Sequence, residues 1–288
     1  MTQAVLRKRP PKRPWRDRAG RLSTLKLVVF AALFLPALVL AVQLSTDNLG
    51  ARPLNALIHW TGLWTIRLAL LSLAITPARL LLAWPSLPVV RRMVGVAAMV
   101  YSLVHLSLYV IDQNGRLLHV GAEIIHRFYL TIGFTALLGL VALGVTSTDA
   151  AVRRMGKRWK ELHRIIYAIA LLAVFHAALQ SKANVGESIL MAGLLVWLLL
   201  WRVLPAGAQR HWAALLGLSV VACCATAGIE YAWYDIGTHI PPSRVFAANF
   251  DIDWQDGLRP AHWVLLTTLA LAIAAAFRVK RRAVPRPA

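Results

Sequence analysis

Nine histidines occur in this chain of 288 residues, and two of them stand in apolar runs where an imidazole needs a partner. His105 sits in "YSLVHLSLY" and His176 in "LAVFHAALQ". An ionisable side chain at membrane depth is costly and marks a functional site by default. Both candidate spans run in the same direction, and both histidines come shortly before the outer end. At 1.5 Å per residue, each imidazole lies roughly 6–9 Å below that boundary. Two imidazoles at equal depth on two helices suit axial ligation of one haem iron from opposite sides. The competing reading is two unrelated interior histidines, each bonded to a neighbour.

His163 lies on the same predicted span as His176, in "WKELHRIIYAIALLAVFHAALQ". Thirteen residues put it roughly 20 Å further in and about 140° around the helix. The two cannot bind one iron. A second bis-imidazole site would need a partner for His163 at the inner end of the third span, which offers Arg91 and Arg92 instead. Arginine at a membrane surface suits a phosphate or a propionate; Arg164, beside His163, belongs with this set. His59, in "LIHWTG", shares the outer depth of His105 and His176. It is a candidate third ligand, propionate partner or quinol contact. Arg67 lies eight residues deeper. A lone cation there is expected to face the bundle interior next to an anion, such as a haem propionate or a flavin phosphate. The bland alternative is a snorkelling side chain. His119, His126, His211, His239 and His262 fall in loops or at span ends and read as surface residues.

The elements that position these groups are membrane helices. Hydrophobic residues make up 58% of the chain, and runs reach the roughly 20 residues needed to cross a bilayer. Barrel alternation is absent. Eight spans are expected, at about 25–43, 54–75, 93–111, 128–146, 164–180, 188–204, 212–230 and 261–277. The fold class is an all-α polytopic bundle of six core spans plus two C-terminal ones. A basic tail fills 1–24, a haem-binding transmembrane domain 25–205, and an extension with an outer loop at 231–260 fills 206–288.

The formal charge of +20 would point to nucleic acid in a soluble protein. Here it follows topology. Twenty-five of the 32 Lys and Arg fall in alternate segments, six in the opposite set, and Arg67 lies inside a span. The positive-inside rule then puts both termini in the cytoplasm. The basic segments are lipid-facing or solvated anchors, and no nucleic-acid partner is implied. The first apolar run reads as a retained span rather than a cleaved signal. Cys223 and Cys224 are adjacent in an apolar run, which disfavours a structural disulfide or a metal site. Glu230, Asp235, Asp251, Asp253 and Asp256 gather in or beside 231–260 with Trp233, Tyr234, Phe246, Phe250 and Trp254. That stretch is either an aromatic interface belt or a docking surface for an outer partner. No stretch is long enough for a nucleotide-binding domain, neither a G-x-G-x-x-G turn nor a P-loop occurs, and no internal repeat is visible.

Four segments carry a family resemblance: "HWTGLWTIRLALLSLAITPARLL", "RRMVGVAAMVYSLVHLSLYV", "HRFYLTIGFTALLGLVALGVTST" and "RRMGKRWKELHRIIYAIALLAVFHAAL". Over about 25–205 the chain resembles the MsrQ (YedZ) family, haem-binding membrane subunits of the periplasmic protein-methionine-sulfoxide reductase system. These belong to the ferric-reductase-like transmembrane superfamily, with the NADPH oxidases and STEAP reductases. The resemblance implies a bacterial inner-membrane electron carrier with haem b and FMN. Its donor would be quinol or a cytoplasmic flavin reductase, and its acceptor a periplasmic molybdopterin subunit, MsrP, that repairs oxidised methionines. The family's histidines correspond to His105, His163 and His176. The wider superfamily often has a second histidine where this chain has Arg91, which leaves room for FMN on the inner side. On this reading the chain is an electron-transfer subunit rather than a complete enzyme. The alternatives are a self-contained ferric or superoxide-generating reductase, and a transporter using Arg67 and His59.

Overall fold

The computed structural model describes residues 13–16, 20–181, 184–238, 240–252 and 257–283, with side chains to Phe277. The inner part of the basic tail, Lys182, His239, Asp253, Trp254, Asp256 and the basic C-terminal side chains lie outside the described residues. Eight helical spans long and apolar enough to cross a membrane are present among those described. Their ends agree with the expected spans to within a few residues, except where inner and outer ends run on past the apolar run.

The first span is two helices, α1 (Thr24–Ala32) and α2 (Leu35–Ser45). Pro36 explains the break: its ring clashes with the carbonyl four residues back, at Ala32, and it has no N–H to donate. Tyr101 fills the opening by donating its hydroxyl to Leu33 O at 2.9 Å. α3 (Pro53–Leu82) is the longest helix and carries Pro77 inside it. Its Leu73 carbonyl therefore lacks the usual donor. Arg202 supplies one, donating from Nη2 to Leu73 O at 2.7 Å.

α4 (Pro88–Asp112) packs along α3. A tight turn with Asn114 and Gly115 at positive φ leads into a short helix, α5 (Leu117–His126). His119 and His126 are thus on a helix, not in a loop. At ten residues this apolar helix is too short to cross a membrane, so span-length hydropathy does not mark it. α6 (Phe128–Val145) follows, then α7 (Asp149–Met155) and α8 (Lys157–Arg164), joined at Gly156 with φ +54. α8 continues through a turn at Ile165 into α9 (Ile166–Gln180), which packs against α6.

α10 (Gly186–Val203) and α11 (Trp212–Gly237) are joined through a 3-10 turn at Ala208–Arg210. α11 reaches beyond its expected end, so Tyr231, Trp233, Tyr234 and Asp235 are helical rather than part of a loop. α12 (Pro242–Ala248) lies in the segment between α11 and the last helix, and α13 (Pro260–Ala283) follows it. The last two spans share the main core. Leu215, Leu218, Ala222, Val264, Ala272 and Ala275 pack in one cluster with residues of α3, α6, α9 and α10. Hydroxyls inside the bundle bond back to the carbonyl four residues earlier, as in Thr61 to Leu57 O (2.8 Å) and Ser219 to Leu215 O (2.9 Å). Every backbone and hydroxyl group in lipid must be satisfied internally, and this is the local way to do it.

Candidate haem-binding site

His105 reaches from α4 towards α3, where its Nδ1 lies 2.8 Å from Ile58 O. His176 reaches from α9 towards α6, where its Nδ1 lies 2.8 Å from Tyr129 O. A carbonyl only accepts, so Nδ1 carries the hydrogen in both rings and Nε2 keeps its lone pair. This is how metal-binding histidines are oriented by an outer hydrogen bond. The ring centres are 6.4 Å apart, with planes at 83°. A metal–imidazole bond is about 2 Å, so one metal held by both rings places their centres roughly 6 Å apart.

Glycine makes room for each ring. A Cβ at Gly62 would meet His105 at 3.1 Å, and one at Gly133 would meet His176 at 2.6 Å. In each case the glycine is one helical turn beyond the carbonyl that receives Nδ1. The two cradles match in register. Ile58 to Tyr129, Gly62 to Gly133 and His105 to His176 each step by 71 residues. The sequence shows no repeat to the eye, but the structure repeats this cradle in α3–α4 and α6–α9. The residues it uses are two glycines and two carbonyls, which carry no motif of their own.

Among the described residues no three His, Cys, Asp or Glu side chains gather as a metal site. Two imidazoles alone suit a metal whose remaining ligands come from a macrocycle, and this is the haem case. The residues present fit that group: two half-buried imidazoles with ring centres 6.4 Å apart, each with Nδ1 already held by a backbone carbonyl.

The other expected site residues separate into three places. His59 lies within electrostatic reach of both rings. Arg67 does face an anion, but the anion belongs to the chain: its guanidinium pairs with Glu187 at the start of α10 and lies 4.9 Å from the centre of the Trp64 ring. Glu187 stands in the first turn of α10, one residue before the expected sixth span, where hydropathy alone gives it no partner.

His163 is at the opposite end from His176. Its ring stacks on Trp159 at 3.8 Å, with Nδ1 3.0 Å from Trp159 O and Nε2 3.4 Å from Ser147 Oγ. Arg91 and Arg92 lie within electrostatic reach of it. Arg92 also pairs with Asp149 at 2.6 Å. The cluster at this end of the bundle therefore has two guanidinium groups, an imidazole and one carboxylate.

The chain matches the ferric reductase like transmembrane component family over residues 20–174. It is also 43% identical to the protein-methionine-sulfoxide reductase heme-binding subunit MsrQ of Rhodospirillum rubrum, over 68% of this chain and 93% of that protein. The chain belongs to the MsrQ family. MsrQ of Xanthomonas campestris pv. campestris is likewise 43% identical, over 66% of this chain and 90% of the relative. MsrQ of Xanthomonas axonopodis pv. citri is 42% identical over the same shares. No solved structure matches. The MsrQ relatives thus cover about two thirds of this chain, while the chain covers nearly all of theirs.

Proposed function

We propose that this MsrQ-family chain is a transmembrane electron conduit that holds haem b between His105 and His176. The observation that carries the reading is the imidazole pair at 6.4 Å with both Nδ1 atoms already engaged. Haem bound there supplies a one-electron carrier. The protein's part is to hold both rings so that ligation needs little reorganisation. Haem held by both His105 and His176 would have no metal position left for oxygen, and the chemistry it would supply there is electron transfer rather than oxygen activation.

The inner cluster receives a second, anionic cofactor, and FMN is the candidate. Arg91 has no carboxylate partner among the described residues, so its charge is available to a phosphate, with Arg92 and His163 beside it. Electrons enter on this side from quinol or a cytoplasmic flavin reductase. They leave on the outer side to a periplasmic molybdopterin methionine-sulfoxide reductase. The chain sits in a bacterial inner membrane with both termini cytoplasmic, as its Lys and Arg distribution supports.

The test is a reduced-minus-oxidised spectrum of the purified protein with haem and flavin counted per chain. His105→Ala and His176→Ala are expected to lose the low-spin b-type signal, and His163→Ala to keep it. Unchanged spectra in the first two would refute the ligand assignment. Loss of flavin, with haem retained, is expected in Arg91→Gln.

A further inference from the structure

Glu123 is largely sheltered, with its side chain 15% exposed, yet it stands on α5, a helix that carries neither of the paired imidazoles. Both of its carboxylate oxygens are taken. Oε2 accepts from the Tyr109 hydroxyl at 3.1 Å, and Oε1 pairs with Arg127 at 2.7 Å. His119 Nε2 lies 3.9 Å from the same Oε1, too far for a hydrogen bond. Tyr109 comes one turn after His105 on α4, and so lies on the same side of that helix. Arg127 is the N-cap residue of α6 and donates to Tyr129 Oη at 3.0 Å. Tyr129 is the residue whose carbonyl holds His176 Nδ1. One connected run of side chains thus leads from the helix of one imidazole to the residue that orients the other.

The same run fastens the corner between α5 and α6. Arg127 N donates to Glu123 O at 2.9 Å, and the Thr131 hydroxyl reaches back to Ile124 O. Tyr129 stands in the first turn of α6, and first turns are where helices fray. The corner is therefore pinned at the place where fraying would turn Tyr129 O away from His176. Arg127 is half-exposed, and an exposed ion pair by itself holds little. Here the carboxylate is sheltered and is gripped from α4 as well, so the bonds act as a network.

We infer that Glu123 is a positioning residue: through Tyr109 and Arg127 it fixes how the imidazoles of His105 and His176 are turned relative to each other, and with that the reduction potential of the metal they hold. This rests on the haem reading above. The Nδ1 bond of His176 is the lever. When that N–H donates well to Tyr129 O, Nε2 is the more basic ligand, which favours ferric over ferrous iron. A loosened corner weakens the bond and moves the potential upward.

The experiment uses the full haem-loaded chain in detergent. A redox titration gives the midpoint potential, and electron paramagnetic resonance gives the low-spin ferric signal, which responds to the angle between the ring planes. Glu123→Ala and Arg127→Gln remove opposite charges. Acting through charge alone, they would shift the potential in opposite directions. Acting through the corner, both shift it upward and both displace the resonance, while haem per chain stays near the wild-type value because both imidazoles remain. Tyr109→Phe changes no charge and is expected to give a smaller upward shift. Glu123→Gln still offers an acceptor and should fall between the wild type and Glu123→Ala. Opposite shifts in Glu123→Ala and Arg127→Gln overturn the inference, and so do a potential and a resonance unchanged in both. If Glu123→Ala takes up no haem, Arg127→Gln and Tyr109→Phe decide by the same two readings: upward shifts in both support the inference, and anything else overturns it. Absence of a bis-imidazole spectrum in the wild type is a separate result, which overturns the haem reading before any variant is compared.

Discussion

Gly133 lies directly under the imidazole of His176, so close that a Cβ there would stand 2.6 Å from Cε1 and Nδ1. Gly133→Ala must therefore push the ring off Tyr129 O or spread α6 from α9. The expected result is a large loss of low-spin haem per chain, measured by the reduced-minus-oxidised spectrum. Gly62→Ala meets His105 at 3.1 Å, a gap that a small ring shift can restore. It should retain most of the signal. If the two variants behave alike, the cradle does not set ring position.

Pro77 and Arg202 form a coupled pair through Leu73 O. Arg202→Met removes the donor and leaves a buried carbonyl unsatisfied, at a cost of about 1–3 kcal/mol. Pro77→Ala restores an N–H one turn along. The double variant should recover much of the lost stability, seen as a higher melting temperature in detergent than Arg202→Met alone. Strict additivity would mean that Arg202 acts through something else, such as its contact with the Tyr167 ring at 5.4 Å.

Glu230 is 2% exposed and Asn249 is fully buried. The amide donates to the carboxylate and to Val245 O at 3.0 Å, while its oxygen accepts from Ala261 N at 3.3 Å. Arg259 lies 3.4 Å from the same carboxylate. Asn249→Leu strips three bonds at once and should free the outer segment, read as faster proteolysis between α11 and α13. Glu230→Gln keeps an acceptor for the amide and should be milder.

Arg67 lies inside a membrane span and pairs with Glu187 at the start of α10, so a charge left there without its partner is costly. Removing one partner is expected to cost more than removing both. Glu187→Gln should lower the melting temperature, and Arg67→Met with Glu187→Met should regain part of it. A double variant no better than the single would show that the pair is not coupled.

Span number, and the pairing of His105 with His176, were legible in the sequence because hydropathy and helical rise fix depth. Azimuth between helices is another matter. Which helix His105 leans on depends on packing, so Ile58, Gly62, Tyr129 and Gly133 could not be picked out beforehand. The same holds for Glu187, whose meeting with Arg67 depends on how α10 sits against α3. Short helices such as α5 and α12 were hidden because their amphipathic runs are briefer than a span. The outer acidic and aromatic stretch was divided among α11, a loop and α12, since Tyr231–Gly237 simply continues a helix that its polar residues had argued to stop.

Each imidazole is steadied by a helix other than its own. His105 ties α4 to α3, and His176 ties α9 to α6. A group clasped by both rings would therefore rivet four helices whose residues span Pro53 to Gln180. During synthesis that rivet cannot be set until the fifth span has entered the membrane. The nascent chain must therefore hold its first four spans together without it, and cofactor insertion becomes a late, closing step of assembly.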